Sequence, residues 1–148
     1  MTTTRTQHLD KLVPEAFGKL LDLDRYVRGV LDPTLLELVL LRASILNGCA
    51  YCVDMHTRDA LKGGEDARRL FAVSTWHESP FFSPAERAAL ALADQVTRLG
   101  ESGVSEEVWA AAHEHFSEKQ VADLLIALVL INAFNRLMVA THKQTPAL

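Results

Sequence analysis

Reactive sulfur is scarce in this chain. Cysteine occurs twice in 148 residues, at Cys49 and Cys52. In a reducing compartment two such residues point to catalysis or metal binding rather than to a structural crosslink. Charge of one sign is also lacking. The net charge is −4, with no basic stripe and no acidic tail, which argues against nucleic acid as a partner. The longest apolar run, residues 124–131, is far shorter than the roughly 20 residues that cross a bilayer, so no membrane span is expected. The first thirty residues contain Asp10, Glu15, Asp22 and Asp24 and no uninterrupted apolar segment. That pattern is unlike a secretory signal, and a cytoplasmic location is expected. Alternating strand patterns, internal repeats and low-complexity segments are missing as well.

What remains is a helical pattern. The length suits one domain, 1–148, and 49% hydrophobic residues with a mean hydropathy of +0.07 suit a packed core. The polar start, MTTTRTQ, is expected to be a disordered tail over 1–7. Residues 9–30 carry Leu12, Val13, Ala16, Leu20, Leu23 and Val27 at helical spacing, as one or two helices with Pro14 or Gly18 marking a start or bend. Asp32-Pro33 restarts the chain as a cap and first helical residue. The helix that follows, to Leu46, is apolar almost all round, and part of its cover could come from another subunit. Asn47-Gly48 ends it, because both residues tolerate left-handed backbone.

A helix over 49–61 then stops at Gly63-Gly64, and a short one is expected over 65–73. Residues 74–82 read as a loop. Ser83-Pro84-Ala85-Glu86 and Ser117-Glu118-Lys119-Gln120 are capping boxes, opening helices to about Leu99 and Thr141. Between them Ser105 caps a helix to about His115. The expected fold is all-α, with about seven helices and the C-x-x-C at the N-terminus of a central one.

The chemistry concentrates in 37–56, ELVLLRASILNGCAYCVDMH. Cys49, Cys52 and His56 stand at i, i+3 and i+7, on one face of a helix. Two Cα atoms at i, i+3 lie about 5 Å apart, inside the disulfide window of roughly 4.4–6.8 Å. A helix N-terminus favours a thiolate, the species that attacks a peroxide or a disulfide, and His56 one turn beyond Cys52 can take its proton. Glu37, in the preceding apolar helix, is expected to fold back toward the dithiol. Desolvation there is expected to raise its pKa so that it exchanges protons with His56.

The register Glu37, Cys49, Cys52, His56 (E-x11-C-x-x-C-x3-H) resembles that of the AhpD-like alkylhydroperoxidases in the carboxymuconolactone decarboxylase superfamily. The likeness extends through Arg42-Ala43-Ser44, Asn47-Gly48-Cys49, His56-Thr57 and Ile131-Asn132-Ala133-Phe134-Asn135-Arg136-Leu137. It implies an all-helical, trimeric or hexameric protein with peroxidase or thiol-disulfide activity. Glu37 and His56 would form a proton relay, and Cys49 with Cys52 the redox pair. The substrate would be a hydroperoxide, and the electron donor a lipoylated protein, a thioredoxin-like protein or a small thiol. Neither metal nor flavin is required. The chain departs from alkylhydroperoxidase D at Tyr51, where that protein has a second histidine.

Several readings compete. The helix dipole favours Cys49 as nucleophile; proximity to His56 favours Cys52, with Cys49 as the more exposed exchange thiol. A redox-responsive binding switch would use the same dithiol without turnover. A zinc site would take Cys49, Cys52, His56 and either Glu37 or His77, but the chain lacks the second C-x-x-C pair common in structural zinc sites. Lactone decarboxylation needs no dithiol. His113 and His115 are two apart and face different ways on a helix, so they read as surface. Trp76 and Trp109 read as core or interface anchors. Tyr51 either lines the mouth of the site or packs. Asn132, Asn135 and Arg136 are expected to satisfy buried backbone or subunit contacts.

Overall fold

The computed structural model describes Arg5 and residues 8–148, and among them it is helical with no strand. The tail expected over 1–7 lies outside the described residues except for Arg5, whose Nη1 donates to the Ala140 carbonyl at 2.8 Å. The elements are α1 (Leu9–Leu12), α2 (Pro14–Val30), α3 (Pro33–Leu46), α4 (Ala50–Lys62), α5 (Ala67–Ala72), a 3-10 turn (Val73–Thr75), α6 (Pro84–Thr97), α7 (Glu106–His115) and α8 (Glu118–Thr141). Pro14 opens α2 at its first position, which divides the first expected helix into two.

The helix α3 starts where its cap chemistry says it should. The Asp32 carboxylate accepts from the Leu35 N–H at 2.9 Å, and Pro33 occupies the first turn. Ten of its residues, 35–44, are buried. The cover comes from this same chain, from α4, α6 and α8, so no second subunit is needed to bury it. Two apolar clusters flank it. One joins Leu36, Val39 and Leu40 to Leu92, Leu124 and Leu128; the other joins Leu38 and Leu41 to Leu70, Trp76 and Leu90.

Arg42 and Asp94 are paired inside this core, as buried polar groups usually are. Arg42, 8% exposed, donates from Nε to Asp94 of α6 at 2.6 Å and from Nη1 to the Ser74 carbonyl at 3.0 Å. Trp76 Nε1 donates to the same Asp94 at 3.2 Å. Arg42 therefore fastens α3 to α6 and to the 3-10 turn. By length and composition α8 is apolar enough to cross a bilayer. In this fold Val121, Leu124, Leu128 and Ile131 of α8 face the core. Trp76 is buried, whereas Trp109 is 39% exposed and is not a core anchor of the chain.

Candidate functional site

The turn between α3 and α4 creates the site. Asn47 caps α3, and Gly48 takes φ +64°, a conformation cheap only for glycine. The Cys49 N–H then donates to the Ser44 carbonyl at 3.0 Å, which closes the reversal. Cys49 is the N-cap of α4, in extended backbone, and its Sγ accepts from the Cys52 N–H at 3.2 Å. Only Cys52 and His56 therefore share a helical face; Cys49 sits one step before the helix, held by the free N–H of its first turn.

Cys49 and Cys52 form a disulfide, with Cα atoms 5.3 Å apart. Each is 1% exposed, so Cys49 is not the more exposed of the pair. They differ in what they face. Cys52 lines a cavity of about 530 Å³ together with Tyr51, His56, Phe17, Phe134 and Met138, and Cys49 does not. Tyr51, half-buried, is thus at the site rather than merely packed.

The second turn of α3 brings Glu37 back to α4, as its register suggests. His56 Nδ1 lies 2.9 Å from Glu37 Oε2 with both side chains buried. The direction of its ionisation is opposite to the sequence expectation. Burial pushes the Glu37 carboxyl up, but hydrogen bonds from His56 and from Arg28, reinforced by their charges, hold it below the ordinary carboxylate value. Arg28 Nη1 donates to Glu37 Oε1 at 2.6 Å, and its Nε donates to Asp24 at 2.9 Å. Glu37 is a standing anion, and a carboxylate only accepts, so Nδ1 of His56 carries the proton of their bond. The opposite nitrogen, Nε2, is buried and has no hydrogen-bond partner among the described residues.

Arg28 is the site residue that sequence reasoning missed. Its only signals are an i, i+4 pairing with Asp24 and a place in the last turn of the helix before Asp32-Pro33. Glu37, His56 and Asp59 each bring one donor atom within 4.8 Å of the others, a spacing a metal could use, but that group includes neither sulfur nor His77. Glu37 already has Arg28 on one oxygen and His56 on the other, so both its oxygens are engaged by the chain's own side chains. His77 instead stacks on Trp76, centroids 3.7 Å apart, with Nε2 3.5 Å from Asp94. His113 and His115 are exposed on α7.

Known proteins share the family and the fold of this chain. Residues 12–95 match the family model described as the carboxymuconolactone decarboxylase family. The chain is 37% identical over 131 residues to the uncharacterized protein YdfG of Bacillus subtilis, covering 88% of this chain and 89% of that one. The crystal structure of ATU0492 from Agrobacterium tumefaciens, a protein of unknown function proposed to be the antioxidant defence protein AhpD, superposes with a TM-score of 0.94. The identity is 35%, over 99% of this chain and 100% of that one. The debrominase Bmp8 shares the fold at 20% identity, with a TM-score of 0.82 over 93% of this chain and 74% of its own.

Proposed function

Since the chain belongs to the carboxymuconolactone decarboxylase family and has an AhpD-like fold, we propose that it is a thiol-dependent hydroperoxide reductase cycling Cys49 and Cys52 between dithiol and disulfide. Fold alone does not select this reaction, because a debrominase is built on the same frame. The observation that carries the reading is the state of His56. Its Nδ1 is committed to Glu37, and its unpartnered Nε2 lies in a side chain that lines, with Cys52 one turn before it, a mainly apolar cavity.

In the reduced protein His56 Nε2 takes the Cys52 proton, and Glu37 stabilises the imidazolium that forms. The Cys52 thiolate attacks the outer oxygen of the hydroperoxide; the O–O bond breaks, and the departing alkoxide takes the proton from His56 to leave as an alcohol. Cys52 is now a sulfenic acid. The Cys49 sulfur attacks it, the S–S bond forms, and the hydroxide leaves as water with the Cys49 proton. A thiol donor, lipoylated, thioredoxin-like or of low molecular weight, restores the dithiol by exchange and is itself oxidised to a disulfide. Glu37 thus serves as a fixed charge that orients the base rather than as a proton carrier.

The proposal extends to assembly and place. Exposed apolar side chains on α2 (Leu21, Leu23, Val30) and α8 (Ile126, Val129) support a homo-oligomer, trimer or hexamer, and a thiol cycle of this kind suits the reducing cytoplasm. Burial of both sulfurs favours a second reading, a redox switch that oxidises once and alters binding to a partner without turnover. Steady-state consumption of cumene hydroperoxide with dithiothreitol or dihydrolipoamide separates the two. Turnover abolished by Cys52→Ser supports the enzyme; a single slow oxidation per chain supports the switch.

A further inference from the structure

We propose that Arg28 is a positioning residue of this site, which acts through Glu37 to decide which nitrogen of His56 is left to receive the Cys52 proton. The inference rests on the reading of Cys52 as nucleophile and His56 as its base, and it adds a residue from a helix that contributes no sulfur, acid or base of its own to that chemistry.

The geometry is a chain of three links. Asp24 Oδ2 accepts from Arg28 Nε at 2.9 Å, Glu37 Oε1 accepts from Arg28 Nη1 at 2.6 Å, and Glu37 Oε2 accepts from His56 Nδ1 at 2.9 Å. The side chains of Arg28, Asp24 and Glu37 are 36%, 29% and 9% exposed, so the guanidinium joins a half-buried carboxylate to a buried one. The consequence follows from what each form of a carboxyl can do. As an anion Glu37 only accepts, so the ring proton stays on Nδ1 and Nε2 keeps its lone pair. As a neutral acid Glu37 has an O–H to donate to Nδ1; the ring proton then resides on Nε2, which can no longer accept one. The same imidazole is a base toward sulfur in the first case and not in the second.

The charges around Glu37 leave that choice to Arg28. From α2 it is faced by Arg28, with Asp24 behind. From α4 it is faced by His56 and by Asp59, which offers a carboxylate oxygen within 4.8 Å of donor atoms of Glu37 and His56. Lys62 and Glu65 line the same side cavity of about 320 Å³. Asp24 and Asp59 oppose a further negative charge at Glu37, and burial opposes it too. Glu65 is paired with Arg69 at 2.9 Å, and Lys62 lines the cavity without an ion pair to Glu37 among the described residues. Arg28 is the permanent cation in contact with it. Arg28 and Asp59 also line both this side cavity and the main one, so the pair forms the wall between them.

The test compares wild type, Arg28→Met and Arg28→Lys, each reduced. Two measurements are made across the acid to neutral range: 15N NMR of the His56 ring, and the single-turnover rate with cumene hydroperoxide. In wild type the ring is expected as the Nδ1–H tautomer. Arg28→Met is expected to move it toward Nε2–H and to displace the acid limb of the rate profile upward. The loss is about tenfold below neutrality, with the alkaline plateau within about twofold of wild type. Arg28→Lys shows a smaller displacement in the same direction. An unmoved tautomer in Arg28→Met overturns the inference even if the limb moves, since the displacement then comes from the thiol alone. If Arg28→Met does not fold, Arg28→Lys decides by the same tautomer criterion. If wild type reduces no peroxide and the tautomer still shifts, the hydroperoxide reading fails and the role of Arg28 stands.

Discussion

Asn47 and Asn135 are joined by a hydrogen bond, Nδ2 of the first donating to Oδ1 of the second at 2.9 Å, which ties the end of α3 to the long helix α8. Asn47 Nδ2 also donates to Asn132 Oδ1 at 2.9 Å, and Asn135 Nδ2 donates to Ser44 Oγ at 3.0 Å. Arg136, exposed, donates from Nη1 to Asn132 Oδ1 at 2.9 Å. The turn that presents Cys49 is therefore anchored from behind by side-chain amides. Asn135 is fully buried. Asn135→Leu, close in size, would leave the Asn47 amide and the Ser44 hydroxyl short of partners. A loss of about 1–3 kcal/mol is expected, read from urea unfolding. A loss below that range would mean the network contributes little beyond packing.

Glu37 gives the protein an acid sensitivity whose sign can be worked out. Its folded pKa lies below the ordinary value of 4.5. Between those two values the unfolded chain binds the extra proton, so stability rises with pH there. The contribution is complete above about 4.5 and is lost as pH falls through the folded value. Glu37→Gln cannot titrate. Urea unfolding at a series of acidic pH values should show wild type losing stability more steeply than the variant in that window. Equal slopes would mean that Glu37 is not held down by Arg28 and His56.

How much of this could be read in advance depends on how local each feature is. Asp32-Pro33, Asn47-Gly48 and the two capping boxes are decided within a few residues, and all stand where the residue types put them. The meeting of Glu37 with His56 was legible because one tight turn separates their helices. Arg28 was not, since its reach to Glu37 depends on how α2 packs on α3, and no periodicity encodes that. The ionisation of Glu37 went the other way for the same cause: desolvation can be guessed from an apolar helix, but the cation that outweighs it is tertiary. The burial of Cys49 likewise follows from packing around the turn, which spacing does not describe.

The capping box of α6 offers a control far from the sulfurs in function. The Glu86 N–H donates to Ser83 Oγ at 3.2 Å, and the Ser83 N–H donates to Glu86 Oε2 at 2.8 Å, while Arg69 Nη2 holds Glu86 Oε1 at 2.7 Å. Ser83→Ala frees one first-turn N–H and should cost about 1 kcal/mol. Thermal unfolding should show that cost with the rate of disulfide formation by cumene hydroperoxide unchanged. A change in that rate would reveal coupling between the α6 cap and the site through Arg42 and Asp94.

The cavity beside Cys52 should choose among peroxides by bulk. Its walls include Phe17, Phe134 and Met138, and Met138 is half-buried on the last turns of α8. Met138→Trp adds volume where an organic group would rest and leaves Glu37, His56 and both sulfurs untouched. Oxidation by cumene hydroperoxide should slow by about tenfold, while oxidation by hydrogen peroxide, which has no organic group to place, should stay within about twofold. The comparison uses the same thiol in the same protein, so a general loss of reactivity would slow both oxidants alike. Equal slowing would place the organic group of the substrate somewhere other than this cavity, and no slowing would show that the peroxide reaches Cys52 without entering it.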